Sequence, residues 1–136
     1  MIVALVSCGS EKSPASKKHP VPAKDLYTGG LFRQARAYAE RHADAWLILS
    51  GKYGVLHPDD LVGWYDVWLG KLPLAEREAW GERVRRELKE LGVWDKHIVL
   101  LGGKEYERAV EGAPHAIKPL AGLEMGYRRR WFKENT

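Results

Sequence analysis

Cysteine is almost missing from this chain: Cys8 is the only one among 136 residues. One thiol closes no intrachain disulfide and builds no cysteine-rich zinc site, so any part it plays is that of a lone thiol. Long apolar runs are missing too. None approaches the ~18 residues that a membrane span needs, and the opening Met1–Val6 run is too short for a signal h-region and has no basic segment ahead of it. These absences predict a soluble cytoplasmic protein with no membrane partner. The glycines and lysines fall into neither a Walker loop nor a dinucleotide fingerprint, which argues against a nucleotide triphosphatase. The histidines, His19, His42, His57, His97 and His115, lack the paired spacing of a metal-binding helix. No metal and no cofactor is indicated. Internal repeats and low-complexity tracts are absent as well.

What is present leans basic. Lys and Arg total 22 against 18 Asp and Glu, a formal net charge of +4. Charge of this size favours polyanions when it is clustered. Two clusters qualify: Lys17-Lys18-His19, and Arg128-Arg129-Arg130-Trp131-Phe132-Lys133, where two aromatics are set among cations.

Three short apolar runs, Ile2–Val6, Ala45–Leu49 and His97–Leu101, are each followed closely by Gly or Ser. Between the first two, Leu31, Ala35, Tyr38, Ala39 and His42 fall at helical spacing; between the second and third, Trp80, Val84, Leu88 and Leu91 do the same. Strand, helix, strand, helix, strand predicts a single α/β domain over residues 1–136, with a mainly parallel sheet of three to four strands flanked by helices. The second helix is expected between Pro73 and Gly92, a first-turn proline and a C-terminal glycine. A shorter helix is expected over Glu105–Glu111, a brief extended segment and candidate fourth strand over Pro114–Pro119, and a terminal helix over Leu123–Lys133. The first loop, Gly9 to Tyr27, is long and proline-bearing, as functional loops often are. Trp64, Tyr65 and Trp68 lie in a second irregular stretch, either as a satellite core or as a stacking surface for bases.

The chemistry gathers where the strands end. Ser7-Cys8-Gly9-Ser10-Glu11-Lys12, Ser50-Gly51-Lys52-Tyr53-Gly54 and Gly102-Gly103-Lys104-Glu105-Tyr106 would share one sheet edge. Each pairs small residues, which let a ligand approach the backbone, with a lysine suited to an anion. The candidate ligand-binding residues are Ser7, Cys8, Ser10, Ser50, Gly51, Tyr53, Gly102, Gly103, Glu105 and Tyr106. Lys12, Lys52, His57 and Asp59 are the candidates for catalysis, two lysines able to lower each other's pKa and an imidazole near carboxylates. Lys17, Lys18, Arg128, Arg129, Arg130 and Lys133 are the candidate phosphate contacts. The opposing reading is that the glycines turn the chain and the lysines are simply solvated.

The stretch from Leu49 through Ser50-Gly51-Lys52-Tyr53-Gly54 to Pro58-Asp59-Asp60-Leu61, followed by Tyr65, resembles the Leu-Ser-Gly, Tyr-Gly, Pro-x-Asp and later Tyr pattern of YaaA-like peroxide stress proteins. Tyr27-Thr28-Gly29 and Glu105-Tyr106 echo two further elements in the same order. The resemblance spans about Tyr27 to Val110, in a family of longer proteins. It also extends to small bacterial and phage domains whose first strand ends in Ser-Cys near a lysine, as Ser7, Cys8 and Lys12 do. What the YaaA resemblance implies is a mixed α/β fold, DNA binding and a link to limiting oxidative DNA damage, without an established reaction.

Three functions remain. The first is a nucleic-acid-binding domain, DNA foremost, that holds a nucleotide, nucleoside or extruded base at the carboxyl edge of its sheet. The second is an enzyme that cleaves or modifies a nucleobase or nucleoside. The third is a non-catalytic interaction module whose glycines only shape loops.

Overall fold

In the computed structural model, which describes residues 1–136, the chain runs through β1 (Ile2–Ser7), β2 (Val21–Pro22), α1 (Ala23–Leu26), α2 (Gly30–His42), β3 (Ala45–Ser50), β4 (Gly54–Leu56), β5 (Leu61–Val62), α3 (Leu74–Glu90), β6 (His97–Leu101), β7 (Ala116–Ile117) and α4 (Met125–Asn135). Tight 3-10 turns cover Pro14–Lys17, Leu69–Lys71 and Lys104–Val110. The sheet order is β4-β3-β1-β6-β7. β1 lies at its centre, parallel to both neighbours, with Leu5 opposite Leu47 on one side and Leu100 on the other. β7 adds in parallel to β6, so the segment bounded by Pro114 and Pro119 does pair.

Five strands form instead of three to four, and one runs backwards. β4 is antiparallel to β3, Leu56 facing Ile48 across the ladder. The reversal starts at Gly54, whose φ of +72° suits a residue without a Cβ. A Cβ there would also run into the carboxylate of Glu87, which accepts a hydrogen bond from the Val55 N–H (3.2 Å). The backbone of β4 is thereby tied to α3. β2 and β5 make a separate two-residue antiparallel ladder.

Alternation along the central strands sorts their side chains onto two faces. Ala4, Val6, Ile48, Val99 and Leu101 pack with Phe32, Ala35 and Ala39 of α2 and Phe132 of α4. Val3, Leu5, Leu47, Leu49, Ile98 and Leu100 pack on the opposite face with Trp80, Val84 and Leu88 of α3 and with Ala109 and Val110. Each fully buried aliphatic side chain contributes roughly 1.5–3 kcal/mol against its exposed state. Both faces being covered explains why these runs read as continuously apolar.

The helix ends follow local rules. Pro73 precedes α3, and Gly92, at φ +75°, ends it, with the Gly92 N–H reaching the Lys89 carbonyl and the Val93 N–H the Leu88 carbonyl (both 3.1 Å). Residues 104–110, expected as a short α-helix, wind instead as a 3-10 turn. No helix is long and apolar enough to cross a membrane.

Candidate functional site

The topology itself opens a crevice. The chain leaving β1 goes to the α2 face of the sheet, and the chain leaving β6 goes to the α3 face, into the Lys104–Val110 turn. Where two adjacent parallel strands send their connections to opposite faces, their carboxyl ends part, and this is where open α/β sheets bind ligands. Here that point lies between Ser7 and Gly102.

A cavity of about 280 Å³ occupies it. One wall is Ser7–Glu11, another Gly102, Gly103 and Tyr106; Gly29 and Gly30 at the start of α2 and Arg128 and Arg129 of α4 form further sides, and apolar side chains including Phe32, Leu101, Leu120 and Phe132 make up much of the remainder. The fit is tight at Gly102 and closer than usual at Gly103, where the neighbour is the tip of a flexible side chain. A Cβ on Gly102 would lie 2.9 Å from the Ser7 Cβ, and one on Gly103 would lie 3.2 Å from Arg128 Nη1. Arg128 is held by its Nε, which donates to the Leu123 carbonyl (2.8 Å). A second hollow of about 330 Å³ shares Cys8, Gly9, Ser10, Gly103 and Tyr106 with the first and continues to Trp68, Lys104 and Glu105. At the junction of the two, the Cys8 thiol and the Tyr106 hydroxyl share a hydrogen bond of 3.2 Å.

The electrostatics of this edge are lopsided. Lys12, Lys52, Lys104, Arg128 and Arg129 form no ion pair, whereas Glu105 is flanked by Arg77 (3.2 Å) and Arg108 (3.3 Å). Partial burial pushes Glu105 upward, but the hydrogen bonds and charges of the two arginines outweigh it and hold the carboxyl below its usual range. Glu11 on the β1 wall also has no ion-pair partner, so the unpaired charge around the crevice is mixed, with the cations outnumbering the single carboxylate.

Beside the crevice, the end of β3 is occupied by a buried hydroxyl chain. Ser50 is fully buried, and its Oγ accepts the backbone N–H groups of Lys52 (3.2 Å) and Tyr53 (3.0 Å). With both lone pairs used, its hydrogen is donated to the Tyr65 hydroxyl, 2.7 Å away, which passes its own to Tyr27. The Ser50 carbonyl accepts the Trp80 indole N–H (2.9 Å). Burial, and then the neighbouring Cys8, push the Tyr27, Tyr65 and Tyr106 hydroxyls far above the ordinary tyrosine pKa. Lys12 Nζ sits 4.6 Å from the Tyr65 ring centre and Lys52 Nζ 5.1 Å from that of Tyr53.

The model of a family of unknown function, DUF6884, matches residues 3–134. The chain belongs to that family. It is also similar to the uncharacterized protein YfjM of Bacillus subtilis (strain 168), 37% identical over an alignment 134 long that covers 92% of this chain and 88% of the relative. No solved structure matches. The expected kinship with YaaA-like peroxide stress proteins is thus overturned, and the link to oxidative DNA damage that rested on it falls away. The shared Leu-Ser-Gly and Tyr-Gly pattern has a local structural account in this DUF6884 domain: Ser50 anchors the hydroxyl chain, Gly51 lets the Leu69 backbone N come within 3.3 Å of where a Cβ would stand, and Gly54 begins β4.

The remaining expected site residues of this DUF6884 member separate. Ser7, Cys8, Ser10, Gly102, Gly103, Glu105 and Tyr106 do line the two hollows. Ser50 and Gly51 are committed to internal packing, and Tyr53 stacks edge-on against Tyr65 (5.4 Å). His57 and Asp59 lie off the carboxyl edge, because antiparallel β4 carries the chain back along β3. The His57 N–H donates to Asp60 (2.8 Å) in a turn. Asp59 pairs with Lys24 (2.8 Å), whose pKa is raised by that hydrogen bond and charge. The C-terminal cluster splits by helical phase: Arg128 and Arg129 face the crevice, Arg130 pairs with Glu134 (2.8 Å), and Lys133 is exposed elsewhere. Lys17 and Lys18 line a separate hollow with Trp64.

Sequence reasoning missed Gly29 and Gly30 as walls of the site. The signal was present in the glycine pair immediately before the first helical repeat. Glu11, part of the expected Ser7–Lys12 cluster but not singled out as a ligand contact, also lines the first hollow, and Trp68, expected only in a satellite core or stacking surface, lines the second; nothing in the local sequence ties Trp68 to Cys8.

Proposed function

We propose that the crevice between β1 and β6 holds a nucleotide, either free or as one unit of a nucleic-acid strand turned out of its stack. The observation that carries this reading is the convergence, on one cavity, of two glycine-bounded strand ends, the start of a 13-residue helix and two arginines without acidic partners. Backbone N–H groups at a helix start and strand ends suit phosphate oxygens, and arginine adds charge and a planar fork. The first hollow, about 280 Å³, falls near the lower bound of small-molecule sites, roughly 300–1,000 Å³, and with the second, about 330 Å³, the space lies within that range, enough for one nucleotide.

Titration with nucleoside monophosphates and inorganic phosphate, followed by thermal shift and calorimetry, tests it. Binding that weakens with salt and drops about tenfold or more in Arg128→Ala/Arg129→Ala is expected, since a charge-assisted contact is worth ~1.5–3 kcal/mol. No binding at low salt, or binding indifferent to both arginines, refutes it. A nucleobase- or nucleoside-modifying enzyme is the second reading, favoured by the Cys8–Tyr106 pair at the junction of the hollows. Product formation that survives both Cys8→Ser and Tyr106→Phe removes that pair from any mechanism.

A further inference from the structure

Burial alternates along residues 64–68: Tyr65 is buried and Val67 half-buried, while Trp64, Asp66 and Trp68 point outward. Trp64 is 44% exposed and Trp68 47%. Two large indoles on the outer side of one irregular segment are costly to leave this open to water. Three residues lie between them, four steps along the chain, so their Cα atoms stand at most about 14 Å apart.

Each indole carries a lysine over its ring. Lys17 Nζ lies 5.0 Å from the Trp64 ring centre and Lys71 Nζ 4.2 Å from that of Trp68. Neither lysine is in an ion pair, and Lys18 faces the same hollow as Trp64. Asp66 is the one acid on the ridge. Trp68 in turn lines the hollow shared with Cys8, Gly9 and Ser10, so the Trp68 end of the ridge adjoins the crevice, and Trp64 stands four positions back along the chain.

We propose that this ridge is a track for single-stranded nucleic acid, with Trp68 and then Trp64 stacking the bases next to the one held in the crevice. The inference rests on the nucleotide reading of that crevice. Exposed cation–π contacts are weak, so each lysine exchanges its ring for a phosphate as a base takes its place. A flat ring face accepts only an unstacked base, which selects a single strand over a duplex. The alternation of ring and ammonium excludes the continuous apolar surface that a protein partner's core contact needs.

The test uses the full chain and fluorescence anisotropy with labelled oligothymidylate and oligouridylate of about twelve nucleotides, beside a hairpin duplex of matched length. Single strands should bind at least about tenfold more tightly than a mononucleotide and more tightly than the duplex, with the indole fluorescence quenched. Each Trp→Ala change should lose about fivefold or more. Trp64→Ala, whose ring lies outside both hollows, should cut the oligonucleotide advantage while leaving mononucleotide binding intact, and Lys17→Glu should do the same without altering the ring. The DNA and RNA arms identify which strand is preferred. Equal binding of duplex and single strand, or full oligonucleotide affinity in Trp64→Ala, overturns the track. Loss of a dimer in sedimentation on mutating the tryptophans also overturns it, assigning the ridge to a second copy. Loss of mononucleotide binding in Arg128→Ala/Arg129→Ala belongs to the crevice alone, so the two readings fail separately.

Discussion

Replacing Tyr65 by Phe isolates the buried hydroxyl chain, because ring shape and the edge-on contact with Tyr27 at 6.4 Å are kept. Two groups lose their partners at once: the Ser50 hydrogen, whose oxygen is already committed to two N–H donors, and the Tyr27 oxygen. Leaving a buried polar group unpaired costs ~1–3 kcal/mol, so Tyr65→Phe should lower stability by about 2–4 kcal/mol. With a urea m-value of ~2 kcal/mol/M, the unfolding midpoint moves down by about 1–2 M. Tyr27→Phe should cost less, about 1–2 kcal/mol, since it leaves only the Tyr65 hydrogen unpaired. The distinguishing result is the double variant. Once Tyr65 is Phe, the Tyr27 hydroxyl is already an orphan, and deleting it should cost nothing or stabilise. A double-mutant cycle by urea denaturation, read by circular dichroism and indole fluorescence, should therefore show strong sub-additivity. Costs that add to within about 0.5 kcal/mol would refute a connected chain.

The same burial sets an alkaline limit. Tyr27, Tyr65 and Tyr106 have folded pKa values above the unfolded value near 10, so their contribution is fully present below that pH. It is lost as pH rises further, by up to ~1.4 kcal/mol per pH unit for each tyrosine. Near-ultraviolet tyrosinate absorbance should show these three ionising only together with unfolding; early, non-cooperative ionisation of all three would contradict their burial. Gly54→Ala and Gly112→Ala form a second comparison, since both glycines have positive φ, +72° and +83°, but only the first has a neighbour in the way. Backbone strain alone costs ~1–2 kcal/mol; Gly54→Ala should exceed Gly112→Ala because Glu87 must also move, and equal denaturation midpoints would show that β4 does not depend on that carboxylate.

The central strands were legible because burial on both faces leaves an unbroken apolar run, and α3 because Pro73 and Gly92 bracket its periodic residues. β4 was not, since three residues opening with a glycine look the same as a ligand-binding loop. That ambiguity also misdirected the site. Ser50, Gly51 and Gly54 have the composition of a phosphate cradle, yet their partners, Tyr65, Leu69 and Glu87, come from 15 or more residues away. Local sequence holds no trace of such pairings. His57 and Asp59 were placed at the edge only because β4's reversal was invisible. The C-terminal arginines carried a readable clue: Glu134 stands one helical turn after Arg130, which marks that arginine as paired and leaves Arg128 and Arg129 to the crevice.

The borders of the sheet have a consequence for the protein at high concentration. β4 is three residues long, and the Val55 N–H is claimed by a carboxylate from α3. β7 is two residues long, with Pro114 and Pro119 close on either side. A strand from another molecule needs a run of free donors and acceptors to add on, and neither border supplies one. The five-stranded sheet is thus finite by construction, and any self-association of folded molecules must proceed through side chains rather than by extending the backbone ladder.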